Sequence, residues 1–237
     1  MLFLLIFFLS INSICFCESI INFTHPIQAI SIAKKFLPNN PLVLEAGAYD
    51  GEDSINLSHN WPHGFIYSFE PVPQLFNKLL NNTNNIKNIK TYELALGDFI
   101  GLAKFYVSEF NDKPGIPGQS SSLLAPKEHL IHAPQVLFKN EIEVQVTTLD
   151  DWAKKNNIDH IDFMWLDMQG YELNMLKAST EILKTVKVIL TEVEFVEAYK
   201  GQYLFKDVKE FLENQGFKMI AINNACSWFG DALFVRK

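Results

Sequence analysis

"LVLEAGAYDGEDS", Leu42–Ser54, reads as a buried strand that breaks into a glycine turn and runs on into a helix. Leu42–Ala46 is short and mostly apolar, as a strand covered on both faces must be. Gly47 and Gly51 give the backbone the freedom a sharp turn needs. A strand, glycine turn and helix in this order ordinarily cradle a small anionic or nucleotide-like ligand.

Working outward from this unit, the alternation repeats. "GFIYSFE" reads as a strand and "PQLFNKLLNN" as a helix. "IKTYELAL" is a third strand, and "AKFYVSEF" alternates well enough to be an added one. "EIEVQVTTLDDWAKKN" reads as a strand, a Thr-capped turn and a helix. "IDFMWLDM" and "VKVILTEVEF" are strands, followed by the helices "YELNMLKAST" and "FKDVKEFLENQG". "FKMIAINN" and "DALFVRK" close the chain as a hairpin. Continuous apolar strands alternating with helices predict an α/β fold: a doubly wound, mostly parallel sheet with helices on both faces and a C-terminal antiparallel hairpin. There are too few strand–helix units for an eightfold barrel. In an open sheet the ligand lies beyond the carboxyl ends of the strands. The stretch 109–126, rich in Gly, Pro and Ser, is expected as a long loop beside the site, a lid or specificity element.

Residues 24–37 carry helical spacing with Thr24 as the expected N-cap, before "PNNP" breaks the chain. Ahead of them, Met1–Cys17 is nearly all apolar and the first charge is Glu18. That is short of the ~20 residues of a bilayer span. It suits a signal peptide cut near Glu18, with Cys15 and Cys17 as the small residues before the cut. A retained anchor is the other reading; Lys34 and Lys35 would then keep the domain on the cytoplasmic side of a membrane. The expected division is 1–17 signal peptide or N-terminal anchor, 18–40 helical lead-in, and 41–237 the main α/β domain. Folding is expected from about residue 40 onward. Without the leader only Cys226 remains, so no internal disulfide is expected. The formal charge of -7 disfavours nucleic acid as a partner, which would need a basic stripe.

The glycine turn is spaced G-x-x-x-G. It lacks the G-x-G-x-x-G of a dinucleotide turn and the Gly-Lys-Ser/Thr of a phosphate loop. Glu45, Asp50, Glu52 and Asp53 flank it, and the second strand ends in Glu70. A carboxylate at that strand end suits the two hydroxyls of a ribose. Acids by the turn suit a ligand that carries a cation. S-adenosylmethionine has a ribose, an adenine, an ammonium and a sulfonium, and no phosphate.

At this point the chain resembles the FkbM family of class I S-adenosylmethionine-dependent methyltransferases, from about Leu42 to Lys237. "EAGAYDG", "FEPVPQLFNKL", "ALGD", "SSSLL", "VTTLDDW", "FMWLDMQGYELNMLKA", "TEVEF" and "DALFVRK" are similar to its blocks in order and spacing. The resemblance implies that Glu45 and Gly47, with Gly51 closing the loop, line the methionine end of the cofactor. It implies that Glu70 holds the ribose hydroxyls, and that Asp98 meets the adenine amino group beside the backbone of Leu96. Phe69 would wall the adenine or serve the core. Gln169 stands where the family usually has Glu, and Trp165 where it often has Lys.

Transfer of a methyl group to an alcohol requires in-line positioning and a destination for the hydroxyl proton. Asp167 and Glu192 end neighbouring strands ~4.8 Å apart and can converge as a base or around a divalent cation. His129, with His132, follows the long loop and is a further candidate base. His59, His63 and His160 are expected at the surface. Tyr199 and Tyr203 would cover the acceptor or pack at its rim. The resemblance implies that the acceptor is a small molecule or glycan with a free hydroxyl. Two alternatives stand against the methyltransferase: an NAD-dependent oxidoreductase, disfavoured by the missing third glycine, and an exported binding protein that keeps the fold without activity.

Overall fold

The computed structural model describes residues 20–223 and 226–237. The leader at 1–17, with its proposed cut near Glu18, lies outside the described residues. After a short strand β1 (Ile21–Asn22) come helix α1 (Pro26–Ala33), strand β2 (Leu42–Ala46), helix α2 (Glu52–Asn60), strand β3 (Phe65–Phe69), helix α3 (Pro73–Thr83) and strand β4 (Ile89–Tyr92). Strands β5 (Ala95–Leu96) and β6 (Gly101–Phe110), helix α4 (His129–His132), strand β7 (Val136–Thr147) and helix α5 (Leu149–Asn156) follow. The chain continues with β8 (Phe163–Leu166), α6 (Glu172–Ala178), a 3-10 turn over Ile182–Thr185, β9 (Val188–Glu194), α7 (Phe205–Asn214), β10 (Phe217–Asn223) and β11 (Phe229–Arg236).

Eight strands form one sheet in the order β1-β10-β11-β9-β8-β2-β3-β4. β2 pairs in parallel with both β3 and β8, so the chain reverses its direction of growth at β2. β11 is antiparallel to both β9 and β10, which makes the closing hairpin part of the sheet. Alternation along the strands builds two cores. Leu44 and Ala46 join Trp152, Leu173, Leu176 and Leu212 from α5, α6 and α7 on one face. Val43 joins Ile30, Ala33, Leu57 and Trp61 from α1 and α2 on the other. The doubly wound fold is therefore as the sequence indicates. Trp165 is 6% exposed and belongs to the second core.

Three details differ from the sequence reading. "IKTYELAL" is two strands: β4 ends at Tyr92 on the main sheet, and β5 begins a second, three-stranded sheet ordered β5-β7-β6. Its apolar inner face packs against Val72 and Leu75 at the start of α3. The first helix starts at Pro26, with His25 rather than Thr24 as N-cap, because Pro is pre-set for the first helical position and has no N–H to lose. Finally, Phe23, Ala29, Ile30 and Ala33 are buried against the sheet, so the 18–40 lead-in covers core. Among the described residues no helix is long and apolar enough to cross a membrane.

Candidate functional site

The reversal at β2 opens a cavity of about 320 Å³ at the carboxyl ends of the strands. Gly47 (φ +88) turns the chain away from β2 where Asp167 leaves β8. A Cβ at Gly47 would lie 1.8 Å from the Asp167 carbonyl oxygen. Only hydrogen fits there, and the resulting close approach forms the floor of the cavity. Gly51 (φ +90) serves packing: a Cβ would lie 2.8 Å from Leu79 Cδ1, where α2 meets α3. Gly51 does not line the cavity, whereas Gly47, Glu70, Leu96 and Asp167 do.

Glu70 follows β3 and is 5% exposed. Its carboxylate accepts from the Tyr49 N–H at 3.0 Å and the Val72 N–H at 2.9 Å, one on each oxygen. Each oxygen keeps a lone pair for a ligand hydroxyl. Burial drives its carboxyl up to about 8, with those two N–H groups pulling the other way. Glu45 is placed differently. It is 1% exposed beneath the turn, where it accepts from Ser54 Oγ and from Ser68 Oγ at 2.8 Å. It fastens α2 to β2 and β3, and burial raises it to about 8. Asp98 is exposed and outside the cavity lining; it accepts from the hydroxyl of Tyr171, which lines the cavity, at 2.7 Å. Phe69 also reaches the cavity, while its ring stacks on Tyr92 at 5.0 Å in the core.

Asp167 is exposed where it opens onto the cavity, and the protein packed around the cavity mouth still raises its carboxyl. Glu192 lies behind it, outside the cavity lining, joined to it through Gln169. Glu194, Glu172 and Asp231 are neighbours in the same acidic region. Burial first, then the charges of Asp167, Glu194, Glu172 and Asp231, lift Glu192 well above the usual carboxylate range. Among the described residues no three His, Cys, Asp or Glu side chains converge at metal-ligand spacing. His129 is not at the cavity. Its ring is 1% exposed among Phe138, Tyr199 and Trp228, and burial lowers it to about 4, which keeps it neutral. His132 stacks on Trp228 and is likewise absent from the lining.

Gly118, Gln119, Ser121 and Leu123 from the 109–126 loop line the cavity, so this loop forms one wall. Sequence reasoning passed over His25, another lining residue, whose Nδ1 accepts from the Ile27 N–H at 3.3 Å. A histidine before Pro26 was the only signal. It also passed over Tyr49 and Tyr171, which contribute to the wall.

These walls fit S-adenosylmethionine. Glu70 offers two oxygens for a diol. Pro71, Leu75, Leu96, Phe105 and Leu123 offer apolar surface for a flat base. Asp167 and Asp53 offer negative charge to a sulfonium and an ammonium, and the lining contains no Lys or Arg for a phosphate. Comparison with known proteins agrees with this chemistry. The methyltransferase FkbM domain matches residues 45–219. The 2-O-methyltransferase NoeI of Sinorhizobium fredii (strain NBRC 101917 / NGR234) is 28% identical over 82% of this chain and 78% of its own length. Methyltransferase sdnD of Sordaria araneosa is 22% identical over 76% of this chain and 75% of its own. Among solved structures, a methyltransferase FkbM from Methylobacillus flagellatus KT shares the fold with TM-score 0.55 at 13% identity, covering 89% of this chain and 48% of that one. This chain thus spans about half the length of that structure. Methanococcus jannaschii fibrillarin also shares the fold, with TM-score 0.51 at 15% identity over 93% of this chain and 83% of its own. The sheet reversal, the acid-lined and phosphate-averse cavity, and a family match over most of the chain together place this protein in the FkbM methyltransferase family, with S-adenosylmethionine as its cofactor.

Proposed function

We propose that the chain methylates a hydroxyl oxygen of a sugar, glycan or small hydroxylated metabolite, and that Asp167 receives the proton of that hydroxyl. The observation that carries this reading is the position of Asp167: it is the acid that leaves β8 into the cavity, beside the Gly47 turn. The bound cofactor supplies an electrophilic methyl group on a sulfonium. The chain's own residues must orient the acceptor oxygen along the bond that breaks and take up its proton. A carboxylate whose protein surroundings raise it is a stronger base than one in water, which suits it to an alcohol whose acidity rises as the bond forms. NoeI is named a 2-O-methyltransferase, which supports an oxygen acceptor here.

The walls also constrain the acceptor. Asp50, Glu52, Asp53, Glu70 and Asp167 line the cavity. Anionic acceptors such as sugar phosphates would be repelled, and neutral polyols are favoured. A cavity built this fully does not favour a non-catalytic binding protein. The test is transfer of radiolabelled methyl from S-adenosylmethionine to a panel of neutral and phosphorylated sugars. Labelled neutral sugars with wild type and none with Asp167→Asn is the expected result. Labelling confined to phosphorylated sugars, or undiminished in Asp167→Asn, would refute it. For the leader at 1–17 we retain the signal-or-anchor reading, and N-terminal sequencing of the native protein would decide between cleavage near Glu18 and retention.

A further inference from the structure

One side chain completes the site without lining it. Gln169 sits two residues after Asp167 at φ +53, with Gly170 behind it at φ +90. This left-handed pair turns the amide back over the ends of β8 and β9. Its Nε2 donates to Asp167 Oδ1 and to Glu192 Oε2, both at 2.7 Å. A primary amide has two N–H donors, and here both go to carboxylates. The amide is itself held. Its Oε1 accepts from the Tyr199 hydroxyl at 2.6 Å, and its backbone carbonyl accepts from Ser122 Oγ at 2.7 Å. Tyr199 is 1% exposed, and its hydroxyl also lies 2.9 Å from the Ser120 carbonyl oxygen.

The surroundings of Asp167 are otherwise acidic. Asp53 faces it from α2, Glu45 from β2, Glu192 and Glu194 from β9, Glu172 from α6 and Asp231 from β11. Burial and the charge of Asp53 push the Asp167 carboxyl up, while the Gln169 amide first, and then a hydrogen bond from Glu192, pull it down. Glu192 has strong reasons to keep a proton: burial first, and then the opposing charges of Asp167, Glu194, Glu172 and Asp231.

We infer that Gln169 is a positioning residue that keeps Asp167 ionised and turned toward the cavity while Glu192 holds the proton of the pair. The inference rests on the proposed role of Asp167 as proton acceptor. A glutamate at 169 would place a third carboxyl against the pair. The amide instead donates to both at every pH.

The test needs no acceptor. S-adenosylmethionine carries a sulfonium charge, and S-adenosylhomocysteine is the uncharged thioether. An ionised Asp167 favours the first over the second, so the ratio of their affinities climbs as Asp167 ionises. Calorimetry on the full chain across the whole pH range in which it stays folded would follow that climb. Gln169→Met keeps the length and removes both donors. The expected result is a climb displaced to higher pH, with a roughly tenfold loss of S-adenosylmethionine preference at the acid end that vanishes at the alkaline end. Tyr199→Phe, which frees the amide without deleting it, should move the climb the same way by less. It carries the test if Gln169→Met fails to melt cooperatively. A climb that superimposes on wild type, or an equal fall in both affinities at every pH, overturns the inference. Asp167→Asn separates the two readings. If the climb survives in that variant, Asp167 is not the titrating group and the base reading falls with this one. If the climb is lost there yet unmoved in Gln169→Met, only the role of Gln169 falls.

Discussion

Gly47 carries the sharpest residue-scale expectation. Its backbone lies in the left-handed region, and its missing side chain is the space occupied by the Asp167 carbonyl. Gly47→Ala should therefore cost at least about 3 kcal/mol of stability, read as a fall in the chemical-denaturation midpoint; a loss below about 1 kcal/mol would mean that the turn can relax. Glu70 makes a different prediction. Glu70→Ala removes an acceptor for two ligand hydroxyls and should weaken S-adenosylmethionine binding by about 1.5–3 kcal/mol, roughly tenfold to a hundredfold in Kd by calorimetry. Unchanged affinity in a folded variant would take Glu70 out of the site. These two residues were legible in the sequence because a glycine and an acid at strand ends have few other uses. Glu45 was read as lining the methionine end of the cofactor, whereas it lies beneath the turn and outside the cavity lining. Its burial under Ser54 and Ser68 depends on α2 folding back over β2, which no spacing reports. Gln169 stood out in the sequence as a departure from a pattern, but its two carboxylate partners lie on different strands.

At the scale of elements, α1 decides where the folding unit begins. Phe23, Ile30 and two alanines of this segment are buried against β10, β11 and α2. Each large apolar side chain contributes ~1.5–3 kcal/mol, a sizeable share of a net stability of ~5–15 kcal/mol. A chain starting at residue 41 should be insoluble or lack a cooperative circular-dichroism melt, whereas one starting at residue 20 should melt cooperatively. Equal melts for the two would show that α1 is dispensable. The strands from β2 to β3 and from β8 to β9 were readable because burial on both faces leaves continuous apolar runs. The split of "IKTYELAL" was not, since the same apolar letters serve either sheet and only Val146 and Thr147 of β7 select β5. β6 and β7 were legible as strands, but not as each other's partners in a separate sheet.

For the whole molecule, the acids at one end of the sheet set a pH dependence. Glu45 and Glu70 are raised from 4.5 to about 8, Glu172 from 4.5 to about 7, and Asp231 from 3.8 to about 7, burial being the first cause in each. The folded chain thus holds more protons than the unfolded chain between these limits. Their stabilising contribution is complete below the unfolded values and is lost as pH rises through the folded ones. The cofactor-free protein should melt at progressively lower temperature from about pH 6 to about pH 9, and Glu45→Gln should flatten that slope. A Tm that holds steady or rises over this range would contradict the picture. The order of the sheet has a consequence for synthesis as well. β11 lies between β9 and β10 although it follows both in the chain. A nascent polypeptide leaving the ribosome therefore carries β9 with an open pairing edge, and β10 has no sheet neighbour but β1, until residues 229–236 have emerged. That exposed edge is a window for misassembly during translation, and it closes only when β11 inserts.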